Sequence, residues 1–334
     1  MQIGCYQLAT PFALAPMAGI TDKPFRQLCR EFGAGWAVSE MITSDPYLQK
    51  TRKTLQRADY GGESGVRVVQ IAGSDPQQLA EAACYNVARG AEVIDINMGC
   101  PAKKVCNVLA GSALLQNESL VKAILQTVVG AVDVPVTLKT RLGWDDDHRN
   151  ILTIAQIAEQ AGIAALAIHG RTRTQMYRGT ASYDLITQVR QQINLPLWVN
   201  GDITSPQKAI DIKQQTGADG VMIGRAAQGQ PWLFRDLVHY FKNGYLPQAL
   251  TVAEHAQIIV NHVSAIHDFY GIFTGVRIAR KHIGWYVSGL PEGEIFRRQV
   301  NTTDDAQIQL QLVNDFLDRQ VAQLTEWPCD YREQ

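Results

Sequence analysis

VRVVQIAGSDPQQLAEAACYNVARGAEVIDINMGC, residues 66–100, contains one complete strand–helix–strand unit. Its two ends, VRVVQIAG (66–73) and VIDINMGC (93–100), are short and nearly all apolar up to a polar or glycine-containing tail. Strands covered on both faces have this composition. Between them, DPQQLAEAACYNVARG (75–90) carries apolar residues near helical spacing, with Asp75 placed to cap and Pro76 in the first turn.

The same alternation extends in both directions. The strand candidates are FALAPMAG (12–19), AVSEM (37–41), the two runs above, VPVTLKTR (134–141), ALAIHGRT (165–172), LPLWVNGD (195–202) and GVMIGRAA (220–227), eight in all. Eight units of about 25 to 40 residues match an α/β fold of the (β/α)8 TIM barrel type, which needs about 250 residues. A doubly wound open sheet is the structural alternative. After residue 245 the strand-like runs stop and helical periodicity takes over. Thr251 with Glu254 reads as a capping box ahead of Ile258, Ile259, Val263, Ile266 and Phe269. Thr302 with Asp305 is expected to open a further helix carrying Ile308, Leu312, Phe316 and Val321. The chain thus divides into a barrel, 1–245, and an all-α domain, 246–334, joined through NGYLPQ (243–248).

Of 334 residues, 46% are apolar and 19% charged, so a large core is within reach and disorder is not expected. Lys plus Arg number 31 against 32 Asp plus Glu, a formal charge of -1 that attracts no polyanion globally; a nucleic-acid surface must be a local patch. The six cysteines (Cys5, Cys29, Cys84, Cys100, Cys106, Cys329) form no C-x-x-C pair. Neither a zinc site nor a disulfide framework is expected, and a reducing cytoplasm fits. Cys5, Cys29 and Cys84 read as small buried fillers. MQIGCYQLATPFALAPMAG at the N-terminus lacks a signal-peptide pattern, and no run reaches the ~18 apolar residues of a membrane span. Export and membrane insertion are not expected.

In a barrel, binding and catalysis belong to the residues just after each strand. Here these are Pro16, Met17, Ala18 and Gly19, then Gln70, then Asn97, Gly99, Cys100 and Pro101, then Lys139 and Arg141. His169 and Arg171, then Asn200, Gly201 and Asp202, and finally Gly224 and Arg225, complete a polar ring around one mouth. Gly201 and Gly224 would let backbone N–H groups approach a phosphate, with Arg225 adding a charged fork; ordinary tight turns are the plainer alternative. A cationic Lys139 suits a flavin, whose anionic reduced ring it would stabilise, although a strand-end lysine is often only solvated. Cys100 begins an exposed, Gly/Pro-constrained loop. A thiol with a pKa near ~8.5 is mostly protonated at neutral pH, so it can be a general acid as well as a nucleophile. The chemistry leaves both roles open.

The motifs resemble those of the flavin-dependent tRNA-dihydrouridine synthases of the bacterial B type. The resemblance rests on APMAGITDKPFR (15–26), SEM (39–41), VQIAGSDP (69–76), DINMGCPAKKV (95–105), LAGSALL (109–115), VPVTLKTRLGW (134–144), IHGRTR (168–173), NGDI (200–203), MIGRAAQGQPW (222–232), and HDFYG with RIARKHIGWY between 267 and 286. NMGCPAKKV is specific to that family, whereas NGDI and IGR are shared more widely among FMN barrels. Cys106 follows the motif loop as a small departure, and residues 287–300 offer no known pattern.

The resemblance implies FMN, NADPH as reductant, and reduction of the C5=C6 bond of specific D-loop uridines in tRNA, with U17 one candidate position and no linear motif that encodes the choice. It implies that Pro16, Met17 and Ala18 hold the ring edge, and that Gln70 and Lys139 hold its pyrimidine side. Asn200, Gly201, Asp202, Gly224 and Arg225 would hold the ribityl phosphate region, with His169 near phosphate or ring and Asn97 beside flavin or uracil. Cys100 is carried over as the proton donor. Two basic groups are expected to meet tRNA: Lys103, Lys104, Arg141, Arg171, Arg173 and Arg178 around the mouth, and Arg277, Arg280 and Lys281 on one side of a C-terminal helix. No metal is expected, and a monomer is the plainer state for an enzyme whose partner is a large RNA. The competing functions are an FMN barrel oxidoreductase acting on a free pyrimidine, as dihydroorotate dehydrogenases do, and a non-catalytic tRNA-binding chaperone.

Overall fold

The strands follow the expected alternation in the computed structural model, which describes residues 1–49, 51–106, 109–328 and 331, and of residues 46, 49, 53, 103 and 104 the backbone alone. The chain forms two compact units, Met1–Gly224 and Arg225–Gln334. In the first unit a short antiparallel hairpin, β1 (Gln2–Ile3) and β2 (Tyr6–Gln7), precedes a parallel sheet. The sheet comprises β3 (Phe12–Leu14), β4 (Trp36–Ala37), β5 (Ile42–Thr43), β6 (Val68–Ala72), β7 (Val93–Met98), β8 (Val136–Arg141), β9 (Ala165–His169), β10 (Leu197–Asn200) and β11 (Gly220–Ile223), in the order β4-β3-β11-β10-β9-β8-β7-β6-β5.

A parallel bridge from Val38 to Val68 joins the β4 edge to β6 and closes the sheet on itself. β4 and β5 are two halves of one barrel strand, since Val38 pairs with Val68 and Ile42 with Ile71. Four residues on one side therefore match three on the other, and the surplus residue interrupts the ladder as a bulge does. Ser39 repairs the break: its N–H donates to Val68 O at 3.0 Å and its Oγ accepts from Gln70 N at 3.0 Å.

Alternate residues of each strand face the barrel axis. Ala13, Ala15, Trp36, Val38, Val68, Val93, Ala165, Ala167, Trp198 and Met222 form one buried cluster there, with Ile3 and Leu8 of the hairpin segment packed into it. Trp36 and Trp198 pack with ring centroids 5.4 Å apart. The hairpin, absent from the sequence-based reading, thus covers the apolar end of the barrel and leaves the polar, C-terminal strand ends for chemistry. The helix Pro76–Ala88 forms as expected, with Asp75 accepting from Gln78 N and Pro76 at its start.

The second unit holds the helices Leu233–Asn243, Val252–Tyr286, Gly293–Val300 and Ala306–Gln323. This unit begins at Arg225, ahead of the change of pattern expected at 245, and its first helix ends at Gly244 in a left-handed cap. The capping box at Thr251 and Glu254 is present. The long helix breaks at Gly271, whose φ of 77 is strained for any residue with a Cβ. Two corrections follow. Asp305, not Thr302, caps the last helix, accepting from Ile308 N at 2.9 Å. That helix buries Gln309, Val313, Phe316, Leu317 and Gln320, while Ile308 and Val321 are exposed. Gln309 explains the shift: its Oε1 pairs with His267 Nε2 at 2.8 Å and its Nε2 donates to Val276 O at 3.1 Å, so a polar side chain lies on the core face. Gly293–Val300 forms a helix where no pattern was recognised.

Candidate active site

The apolar cluster ends where the polar layer begins, two residues further along each strand. Val68 leads to Gln70, Val93 to Asp95 and Asn97, Ala167 to His169, Trp198 to Asn200, and Met222 to Gly224. The ladder registers make these neighbours: Gln70 opposes Asp95, Asp95 opposes Thr137, Asn97 opposes Lys139, and Arg141 opposes His169. His169 in turn opposes Asn200. Gln70, Asn97, Lys139, His169 and Asn200 are therefore brought to one ring at the mouth.

Lys139 Nζ donates to Asn200 Oδ1 at 3.1 Å, and Asn200 Nδ2 donates to Met222 O at 2.8 Å. Burial, and then the Arg141 charge, bring the Lys139 ammonium down to about 8. A cation held at this cost favours an anionic or electron-rich ligand beside it.

Cys100 is partly buried on the loop after β7. Asn97 Oδ1 accepts from Gly99 N at 3.2 Å and Cys100 N at 3.0 Å, which shapes the turn. From the other side, Cys100 O accepts from Ser112 Oγ at 2.8 Å and Ser112 N at 3.1 Å, and lies 3.6 Å from Cys106 Sγ. A Cβ on Gly111 would come within 2.8 Å of that carbonyl, so glycine is needed for this approach. Burial pushes the Cys100 thiol up, and the sulfur keeps its proton at neutral pH.

Pro16, Met17 and Ala18 follow β3 in a turn closed by Thr21 N donating to Met17 O, with Thr21 Oγ1 accepting from Met17 N at 2.9 Å. Gly19 N donates to Glu40 Oε1, a carboxylate 3% exposed that also pairs with Arg57. Glu40 was not among the expected site residues, although SEM at a strand end was the signal for it. Gly201 has φ 124, and its carbonyl accepts from Tyr183 OH at 2.7 Å. A Cβ on Gly224 would meet nothing closer than Ala15 Cβ and Met17 Sδ at 3.8 Å. The protein itself does not require glycine there, whereas a ligand lying against that backbone would. The inward cation, the amide layer and this open backbone edge suit a planar, electron-accepting ring that carries an anion. Arg225 is exposed and is the first residue of the second unit, in the turn Arg225–Ala227.

Two residues expected to meet tRNA are instead buried. Arg171, 2% exposed, is held by both Asp202 oxygens and donates to Arg178 O at 3.1 Å and to Gly179 O. Asp202, expected beside a phosphate, is itself committed to Arg171 and to Ala181 N at 2.8 Å. Arg141, 3% exposed, donates to Gly99 O, Thr172 O and Met176 O at 2.7 to 3.0 Å. Both guanidiniums tie loops together beneath the mouth. Arg173 lies 4.5 Å over the Trp144 ring, and Arg178 is exposed. The side chains of Lys103 and Lys104 lie outside the described residues. In the second unit Arg277 is exposed over Phe273 at 4.4 Å, Arg280 is paired with Asp304 at 2.8 Å, and Lys281 is half-buried.

The filler reading holds for Cys29, whereas Cys5 and Cys84 are exposed; Cys329 lies outside the described residues. Among the described residues no cluster of His, Cys, Asp or Glu could hold a metal ion, and no helix is long and apolar enough to cross a membrane.

Comparison with known proteins gives concordant results. The family described as Dihydrouridine synthase (Dus) matches residues 13–321. Proteins named tRNA-dihydrouridine synthase B are similar over nearly their whole length. The one from Xanthomonas campestris is 56% identical over 96% of this chain and 97% of its own, and that from Vibrio vulnificus is 54% identical over 95% and 99%. Among solved structures, an old yellow enzyme homologue from Zymomonas mobilis shares the fold at TM-score 0.53 and 14% identity, covering 75% of this chain and 93% of its own. A 2-naphthoyl-CoA reductase has TM-score 0.57 at 12% identity, over 72% and 51%.

Proposed function

The chain belongs to the dihydrouridine synthase family of flavin-dependent oxidoreductases, and from that premise we propose that it reduces the C5=C6 bond of D-loop uridines in tRNA, U17 being one candidate position, with FMN as its flavin and NADPH as reductant. The observation that carries this reading is the pairing of an inward cation, Lys139, with a protonated thiol, Cys100, on the loop after the neighbouring strand. When bound, FMN supplies the hydride for C6 of uracil, the electron-poor carbon of a double bond conjugated to the C4 carbonyl.

Lys139 stabilises negative charge at the ring's pyrimidine side, and Gln70, Asn97 and Asn200 offer the remaining polar contacts of that layer. Gly201, Gly224 and Arg225 are assigned to the phosphate end, with His169 between ring and phosphate, and Met17 with its flanking Pro16 and Ala18 to the ring edge. Cys100 Sγ holds the proton that C5 takes as C6 receives the hydride, so the product has gained one hydride and one proton. A raised thiol pKa suits this acid role better than a nucleophilic one, which would need the thiolate. A uridine in folded tRNA must leave its stack to reach the mouth, so RNA shape selects the site. Arg178 and Arg173 near the mouth, and Arg277, Arg280 and Lys281 in the helical unit, are assigned to phosphate contacts; the cytoplasm, as a monomer, is the assigned setting.

The test is mass-spectrometric detection of dihydrouridine in tRNA that lacks it, after anaerobic incubation with the protein and NADPH, beside Cys100→Ala. Dihydrouridine at one position with wild type and little with the variant is expected. If neither protein forms it while both are yellow and oxidise NADPH, tRNA is not the substrate and free pyrimidines become the alternative.

A further inference from the structure

We propose that Asp95, which contacts no reacting group, sets the direction of a side-chain relay that holds the Cys100 loop, and is thereby a positioning residue for proton transfer. The inference rests on the reading of Cys100 as the acid.

The relay crosses three neighbouring strands. Thr137 Oγ1 donates to Asp95 Oδ1 at 2.6 Å, and Gln70 Nε2 donates to Asp95 Oδ2 at 2.7 Å. Asn97 Nδ2 donates to Gln70 Oε1 at 2.8 Å, and Asn97 Oδ1 accepts from the backbone N–H groups of Gly99 and Cys100. Ladder register makes the first three members direct neighbours, so the order follows from the fold.

Direction is the chemical content of this chain. Each primary amide has a donating and an accepting end of nearly equal size, and shape alone does not choose between them. An ionised carboxylate only accepts, so Gln70 must turn its NH2 toward Asp95 and its oxygen toward Asn97. Asn97 must then donate to Gln70 and keep its oxygen for the Cys100 turn. Reversing either amide sets N–H against N–H or leaves the two turn amides without their acceptor. The carboxylate is kept at a desolvation cost: Asp95 is 4% exposed and burial pushes its pKa up, a rise that the hydrogen bonds from Thr137 and Gln70 and then the Lys139 charge oppose, while Lys139 directs its own hydrogen bond to Asn200. An asparagine would pack in the same space at lower cost but could present either end, so the charge has a use that packing does not explain.

The test uses Asp95→Asn holoenzyme and follows three quantities: flavin reduction by NADPH, single-turnover flavin reoxidation by tRNA, and the pH profile of Cys100 alkylation by iodoacetamide. The expected result is a reduction rate that changes far less than reoxidation, reoxidation slowed ~10- to 100-fold by misplacement of the acid, and a displaced alkylation profile. Cys100→Ala with Asp95→Asn should be as slow as Cys100→Ala alone, because both act through one group. Wild-type reoxidation and alkylation in Asp95→Asn, additive losses in the double variant, or a colourless Asp95→Asn protein would each overturn the assignment. If wild type itself is inert toward tRNA, the proposed function falls, while the alkylation profile still decides whether Asp95 governs Cys100.

Discussion

Flavin affinity should weaken as pH rises through 8, and Lys139 should be the cause. Burial and Arg141 hold its ammonium near 8 in the free protein, against an ordinary value of 10.5. A flavin whose electron-rich pyrimidine edge lies beside Lys139 would return the pKa toward the ordinary value. The bound state then keeps a proton that the free state has lost, so above pH 8 binding takes up a proton and becomes less favourable with each further unit; below 8 both states are charged and affinity is flat. Between pH 7 and 9.5, full restoration corresponds to about 25-fold in Kd, or ~2 kcal/mol. This is an upper value, because Lys139 retains some exposure to water at the mouth. Quenching of FMN fluorescence on titration into apoprotein, at fixed ionic strength and several pH values, measures the slope. Titration of the ligand itself is common to wild type and Lys139→Met, so the difference between their slopes isolates the lysine. A wild-type Kd independent of pH, or the same slope in both proteins, would refute the linkage.

Arg171→Met should lower stability by about 3 kcal/mol in denaturant unfolding, since it removes the charge that balances the Asp202 carboxylate and the donor to two carbonyls; adding Asp202→Asn should recover part of the loss. Acid should weaken the helical unit: burial, and then Lys281, hold His262 down to about 3, so the unfolded chain binds the proton first as pH falls below ~6.5. His262 alone accounts for about 2 kcal/mol lost between pH 7.5 and 5, and His262→Phe should flatten that part of the pH–stability curve. Arg277→Glu with Lys281→Glu should weaken tRNA binding and reduce the salt slope by about one per lost phosphate contact, with flavin content unchanged; an unaltered salt slope would remove these residues from the RNA surface.

The barrel was legible because its strands are covered on both faces, and strands of that kind announce themselves as apolar runs with polar tails, as VIDINMGC does. The parts that escaped have physical reasons. Residues 2–7 are too short for a periodic pattern, and their function as a cover depends on Ile3 and Leu8 reaching the barrel interior. The break between β4 and β5 depends on a count of residues against β6, a comparison across chain segments that one run of sequence does not contain. In the last helix the buried glutamines resemble surface residues, and for Gln309 only its partners, His267 and Val276, put it inside.

Position along a strand was a better guide to the site than charge was. Gln70, Asn97, Lys139, His169 and Asn200 were placed by reading the polar ends of the strands, where a barrel keeps its site, and the ladder register with the strand period brings them to one face. Arg141 and Arg171 were read by sign alone as partners for RNA phosphate. Arg141 sits on the same inward register as Lys139, two residues on, and by the rule that placed Lys139 it belongs inside the mouth, where it holds the carbonyls of Gly99, Thr172 and Met176. For Arg171 the deciding partner, Asp202, lies on a different strand end, and both residues had been given ligands outside the protein. Two opposite charges at neighbouring strand mouths should first be tested against each other. By the same logic an inward carboxylate below two amides, as at Asp95, orients those amides before it serves any ligand.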